Sequence, residues 1–234
     1  MTLSLLLVLT GSLGLACGWW LIFMYAPVEA VMGPIQKIFY IHLPLSWWAL
    51  ISFFAVFAAS VAFLVKRDSK WDRLAQAAAE VGVLLTTLCL VTGILWGRKS
   101  WGVWWTWDPR LSTALVMWFV YMAYLLLNGL AMSPHRRMMV RAVVGIAAFA
   151  DVPLVFLSAR MWRSIHPAVF ASEGGGLEPE MKVTAIFCVA VTGLLWLGLV
   201  LLRRQQLADQ ARLDDLLYAA RERETEESEP AFRK

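Results

Sequence analysis

The chain has 234 residues, 60% hydrophobic and 16% charged, with a formal net charge of +4 and a mean hydropathy of +0.64. That composition excludes a water-soluble domain of ordinary make-up and leaves a membrane protein, for which no nucleic-acid partner is expected. Six apolar stretches, at 3–25, 45–65, 80–97, 111–132, 142–160 and 182–202, are each long enough at about 20 residues to cross about 30 Å of hydrocarbon as a helix. Lipid offers the backbone no hydrogen-bond partner, so helices must carry the spans. The expected fold is all-α, a six-helix transmembrane bundle with both termini cytoplasmic.

In chain order, the first span lacks a basic leader, and Gly14-Leu-Ala-Cys17 matches a lipoprotein cleavage site only loosely, so a retained helix is expected. Cys17, Cys89 and Cys188 all fall inside apolar spans, where buried, inert thiols are expected. Without C-x-x-C or C-x-x-C-H, the chain reads neither as a thiol oxidoreductase nor as a c-type cytochrome. The 26–44 connection carries an amphipathic stretch with Glu29, Gln36 and Lys37, then His42 in Phe39-Tyr-Ile-His-Leu-Pro44. Lys66, Arg67, Lys70 and Arg73 fill the 66–80 connection, Arg136, Arg137 and Arg141 the 133–141 connection, and Arg203 and Arg204 open the tail. Positive charge of this kind marks the cytoplasmic side, which puts the 26–44, 98–110 and 161–181 loops on the opposite face. His135 reads as a solvated cytoplasmic residue. Asp151, followed by Pro153 in the fifth span, reads as a polar helix-packing contact, and no carboxylate cluster, Gly-rich phosphate loop or strong repeat accompanies it.

Ten of the 13 tryptophans fall at the outer ends of the expected spans, whereas an interfacial belt decorates both sides of a membrane. Trp101, Trp104, Trp105 and Trp107 crowd into one loop and offer a flat aromatic shelf for a ligand. Asp108 before Pro109 suits a helix start, N-cap then N1, which fixes the loop's exit. Arg98, Lys99 and Arg110 suit haem propionates and lipid head groups equally. His42 and His166, in Met161-Trp-Arg-Ser-Ile-His-Pro167, lie on the same face as the indoles. Neutral imidazoles among apolar neighbours are the form that ligates iron.

Trp96-Gly-Arg-Lys-Ser-Trp-Gly-Val-Trp-Trp-Thr-Trp-Asp-Pro-Arg-Leu111 closely resembles the WWD motif of the haem-handling proteins of cytochrome c biogenesis. Chain length, span number and paired flanking histidines resemble the CcmC family of the system I maturation pathway, up to about residue 202; the related CcmF and CcsA families are longer. The resemblance implies haem b held non-covalently as transient cargo at the periplasmic surface of the bacterial inner membrane. It implies His42 and His166 as axial ligands, with Trp101, Trp104, Trp105, Trp107 and Asp108 forming the loop and Arg110 beside it. It further implies delivery to the haem chaperone CcmE, alongside the ABC-type pair CcmA and CcmB and the small protein CcmD. The activity expected is binding and presentation rather than enzymatic turnover. Residues 1–204 would form the haem-handling domain, and 205–234, a charged extension outside the resemblance, a short cytoplasmic helix followed by disorder. Two other classes compete: a haem-binding electron-transfer subunit, which calls for histidines inside the spans, and an ABC exporter permease with no ligand of its own.

Overall fold

Each hydrocarbon-length apolar run becomes helix, and polar caps rather than the ends of hydropathy decide where the helices stop. The structure, a computed structural model, describes residues 2–162 and 177–228. Its helices are α1 (Leu3–Trp20, continued by a π-turn Leu21–Tyr25), α2 (Phe39–Lys66), α3 (Ser69–Trp101), α4 (Pro109–Leu126), α5 (Pro134–Ala148), α6 (Asp151–Met161) and α7 (Pro179–Ser228). Among the described residues there is no strand, and six helical stretches are long and apolar enough to cross a membrane.

Several boundaries differ from the hydropathy reading. The 66–80 connection shrinks to Arg67, in a left-handed C-cap at φ 55°, and Asp68, whose side chain accepts from the Lys70 N–H and starts α3. Lys70 and Arg73 therefore stand on helix, because polar residues with good helix propensity extend a capped helix beyond hydrocarbon. Arg136, Arg137 and Arg141 likewise stand on α5. The fifth span is broken at Phe149–Ala150, so that Asp151 opens α6 with Pro153 in its first turn, where a missing N–H costs nothing. Asp151 is half-buried, and its Oδ2 has no hydrogen-bond partner among the described residues. α7 runs through residue 204 without interruption, so span and tail share one helix.

Small residues bring the helices together, as expected where lipid removes the usual hydrophobic drive between them. On α3, Ala75, Ala78, Ala79 and Gly82 are buried beside α2, and a Cβ at Gly82 would meet Phe53 and Ser52 at 2.8 Å. α1 lies antiparallel to α7: a Cβ at Gly11 would strike the Leu195 backbone nitrogen at 2.6 Å, and one at Gly198 the Val8 nitrogen at 2.7 Å. Phe53 of α2 stacks on Tyr121 of α4 with centroids 3.7 Å apart at the centre of the core. Trp48 and Trp196 stack at 4.9 Å, and their indole N–H groups donate to the Val189 carbonyl and to Ser52 Oγ. Trp48 is thus a packing residue rather than part of an interfacial belt.

Alternating helix directions gather the connections at two ends. One carries Lys66–Ser69, Leu126–Pro134 and Arg203, and will be called the basic end. The other carries Ala26–Ile38, Gly102–Asp108 and Leu177, and will be called the aromatic end. At the basic end Arg141 is no loop charge: it is buried, donates to Asp72 through Nε at 3.1 Å and a second nitrogen, and also reaches Asn128 Oδ1. Arg203 pairs with Glu80, and Ser4 Oγ donates to Gln205 Oε1 at 2.9 Å.

Candidate haem site at the aromatic end

α3 reaches Trp101, beyond the apolar run ending at 97, because Arg98 and Lys99 suit the negative end of the helix dipole. Gly102, at φ 77°, stops it in a left-handed conformation that glycine adopts without strain. Trp101 therefore belongs to the helix, where it meets Trp96 edge to face at 5.0 Å and 84°. Arg98 donates to the Gly102 carbonyl and stands 5.5 Å over the Trp104 ring, fastening the start of the loop.

The loop does not form one flat shelf. Trp105 and Trp107 lie 5.9 Å apart at 82°, so no single plane can stack on both. Trp104 and Trp107 are 60% and 78% exposed, large apolar faces that an anchoring or stacking role would cover. Trp105 Nε1 and Thr106 Oγ1 are buried with no hydrogen-bond partner among the described residues, an uncommon state for buried donors. The loop ends as expected: the buried Asp108 side chain accepts from the Arg110 N–H at 2.9 Å with Pro109 at N1. Arg110 follows in the first turn of α4, half-buried.

His42 is not in a loop. The apolar run Phe39-Tyr-Ile-His-Leu lets the 3-10 turn Pro34–Ile38 pass directly into α2, and His42 stands half-buried at that helix start. Gln36, expected at the interface, is buried as well. His42 faces α3: Nδ1 is 3.0 Å from Thr92 Oγ1, and Cys89 Sγ is 3.8 Å from Nδ1 and 3.7 Å from Nε2. A Cβ at Gly93 would stand 3.2 Å from His42 Cε1. Thr92 precedes Trp101 by about 13 Å of helix axis at ~1.5 Å per residue, so His42 sits below the loop rather than level with it. Thr92, Cys89 and Gly93 had no signal in the sequence, where each looks like ordinary span composition.

His166 lies outside the described residues. The Ser158 hydroxyl, near the end of α6, is 3.5 Å from that of Thr113 of α4, and Leu177 packs against the cluster of Ile22, Tyr40 and Met181, so both flanks of the segment holding His166 belong to the aromatic end. His135 is exposed on α5 at the basic end. Of the cysteines, Cys188 is buried and Cys89 partly so, whereas Cys17 is exposed on the outer face of α1, against the expectation for all three. In a membrane helix an exposed face is the face offered to lipid.

Residues 1–216 match the family model for Heme exporter protein C. The chain is 30% identical to the Heme exporter protein C of Haemophilus influenzae over 204 residues, 86% of this chain and 82% of the relative. It is 30% identical to that of Bradyrhizobium diazoefficiens over 200 residues (84% and 76%), and 28% identical to that of Escherichia coli over 195 residues (82% and 78%). With a match that takes in α1 to α6, the tryptophan loop and most of α7, this chain belongs to the Heme exporter protein C family.

Proposed function

We propose that the chain binds haem at the aromatic end, on the periplasmic face of the bacterial inner membrane, and presents it to the chaperone CcmE for cytochrome c maturation. The observation that carries this reading is the placement of His42: a ring braced against α3, at the same end of the bundle as the exposed Trp104 and Trp107. His42 and His166 ligate the iron of a non-covalently held haem b, and Trp104 or Trp107 covers the macrocycle. Because Trp105 and Trp107 are perpendicular, one of them stacks while the other closes an edge. Trp105 Nε1 and Thr106 Oγ1, without a partner among the described residues, are donors that a propionate would satisfy, with Arg98 and Arg110 supplying the opposite charge. Axial ligands, burial and nearby positive charge are the protein's means of controlling a bound haem. Outward exposure leaves a porphyrin edge for the chaperone, with CcmA, CcmB and CcmD as neighbours in the membrane. The role is delivery: the histidines coordinate the iron on uptake and let it go on transfer.

The test is the optical spectrum of the purified full chain supplied with haem. Wild type and His135→Ala should show the same six-coordinate spectrum, His42→Ala and His166→Ala should each change it, and the double variant should lose haem on washing. An unchanged spectrum in the double variant overturns histidine ligation.

A further inference from the structure

A hydroxyl has one proton, and in Thr92 two backbone carbonyls stand within reach of it. Thr92 Oγ1 lies 2.9 Å from the carbonyl oxygens of both Leu88 and Cys89, and carbonyls only accept. With its proton on a carbonyl, the same oxygen accepts from His42 Nδ1, 3.0 Å away, an arrangement that places the imidazole hydrogen on Nδ1. A neutral imidazole has a single N–H, which makes Nε2 its bare, electron-donating nitrogen. Cys89 Sγ, 3.7 Å from Nε2, is a weak partner that does not compete with the shorter contact. Gly93 supplies the room: a Cβ there would press on His42 Cε1 at 3.2 Å and push the ring a few tenths of an ångström away from α3.

We propose that Thr92 is a positioning residue for His42, relaying a backbone carbonyl of α3 to the imidazole and holding it in the Nδ1–H tautomer, so that Nε2 is the nitrogen available to ligate the haem iron. This rests on the reading of His42 as an iron ligand. Outer partners of this kind fix ring orientation and raise ligand basicity, and their loss typically weakens a metal site about 10- to 100-fold.

Two measurements on the full chain test it. In 15N-histidine-labelled protein without haem, with His42 assigned from His42→Ala, the His42 signals should show Nδ1 protonated and Nε2 bare in wild type and in Thr92→Ser. Thr92→Val, which keeps the shape and removes the hydroxyl, should mix the tautomers. With haem added, Thr92→Val should retain it about 10- to 100-fold less well, while Thr92→Ser stays close to wild type. An Nε2–H tautomer in wild type overturns the proposal even if Thr92→Val does not fold. So does a Thr92→Val protein that matches wild type in both measurements, or a thiolate-type spectrum abolished by Cys89→Ser. An unaltered haem spectrum in His42→Ala would instead remove the ligand reading, leaving the tautomer measurement to judge Thr92 alone.

Discussion

The two ends of the bundle use their polar groups in opposite ways. At the basic end they join helix to helix: Asp72 with Arg141 and Asn128, Glu80 with Arg203, Ser4 with Gln205, and Arg137 with the Leu130 and Met132 carbonyls. At the aromatic end the helices are held by apolar packing around Ile22, Tyr40 and Met181, with the His42–Thr92 and Thr113–Ser158 contacts added, and the loop leaves two indoles exposed and two donors without a partner among the described residues. Side chains that tie the fold at one end are, on the proposed function, turned towards a cargo at the other. A site that must take up and release haem is better served by that division than by a loop locked in ion pairs.

The sharpest break of the comparison is all or none. If the basic end is cytoplasmic, a cysteine at Ser133, exposed ahead of α5, stays unlabelled by a membrane-impermeant reagent in intact spheroplasts, while one at Val103, exposed in the loop, is labelled. Labelling at Ser133 alone would put the site in the cytoplasm. Next in size is the buried pair. Arg141→Ala strands the Asp72 carboxylate, and breaking a buried pair in this way costs about 3–5 kcal/mol. Thermal unfolding in detergent should fall steeply, yet haem retained per folded molecule should not change. Replacing both partners by apolar residues of similar volume should recover most of the loss.

The aromatic end should respond in reverse. Trp104, Trp105 and Trp107 changed together to Leu keep the loop apolar and remove its planes, so folding should be unaltered and haem loading about tenfold lower, at ~0.5–1.5 kcal/mol per aromatic contact. Trp19→Leu with Trp20→Leu, on the exposed face of α1, should be near neutral. Full loading of the loop variant would make these indoles an interfacial belt.

How much of this could be read without coordinates follows from which interactions are local. Six spans were legible because hydropathy is a property of consecutive residues, and the Asp108–Pro109 helix start because a cap is made within one turn. The polar ends of α3 and α5 were not, since a window tuned to hydrocarbon stops where hydrocarbon stops. Nor was the break at Asp151: Pro153 was visible, but whether it kinks a helix or starts another depends on its neighbours. His42 stood out as a rare residue near an aromatic loop. Its partners Thr92, Gly93 and Cys89 lie about 50 positions away on another helix and are common in membrane spans, so only the α2–α3 register reveals them. The perpendicular setting of Trp105 and Trp107 is likewise a matter of side-chain torsions that composition does not record.

The smallest effects distinguish two helix starts of the same chemistry, one at each end. Asp68 accepts from the Lys70 N–H and Asp108 from the Arg110 N–H, both at 2.9 Å, but Asp68 is exposed while Asp108 is buried beneath the loop. The Lys70 backbone N–H, and then its side chain, hold the Asp68 carboxyl below the usual carboxylate range. A lowered folded-state pKa means that this carboxylate's contribution to stability is present above the unfolded pKa and is lost as pH falls through the folded value. Asp68→Asn, an equally good cap, should therefore flatten the acid limb of the stability profile slightly and leave haem retention untouched. Asp108→Ala should cost about 1 kcal/mol of helix stability, and because the cap also sets the loop's exit, haem retention should fall with it. Asp108→Asn should restore both if capping is the whole of its role. A loss of haem retention in Asp68→Asn equal to that in Asp108→Ala would mean that strain at the basic end reaches the loop, and that the two ends do not work independently.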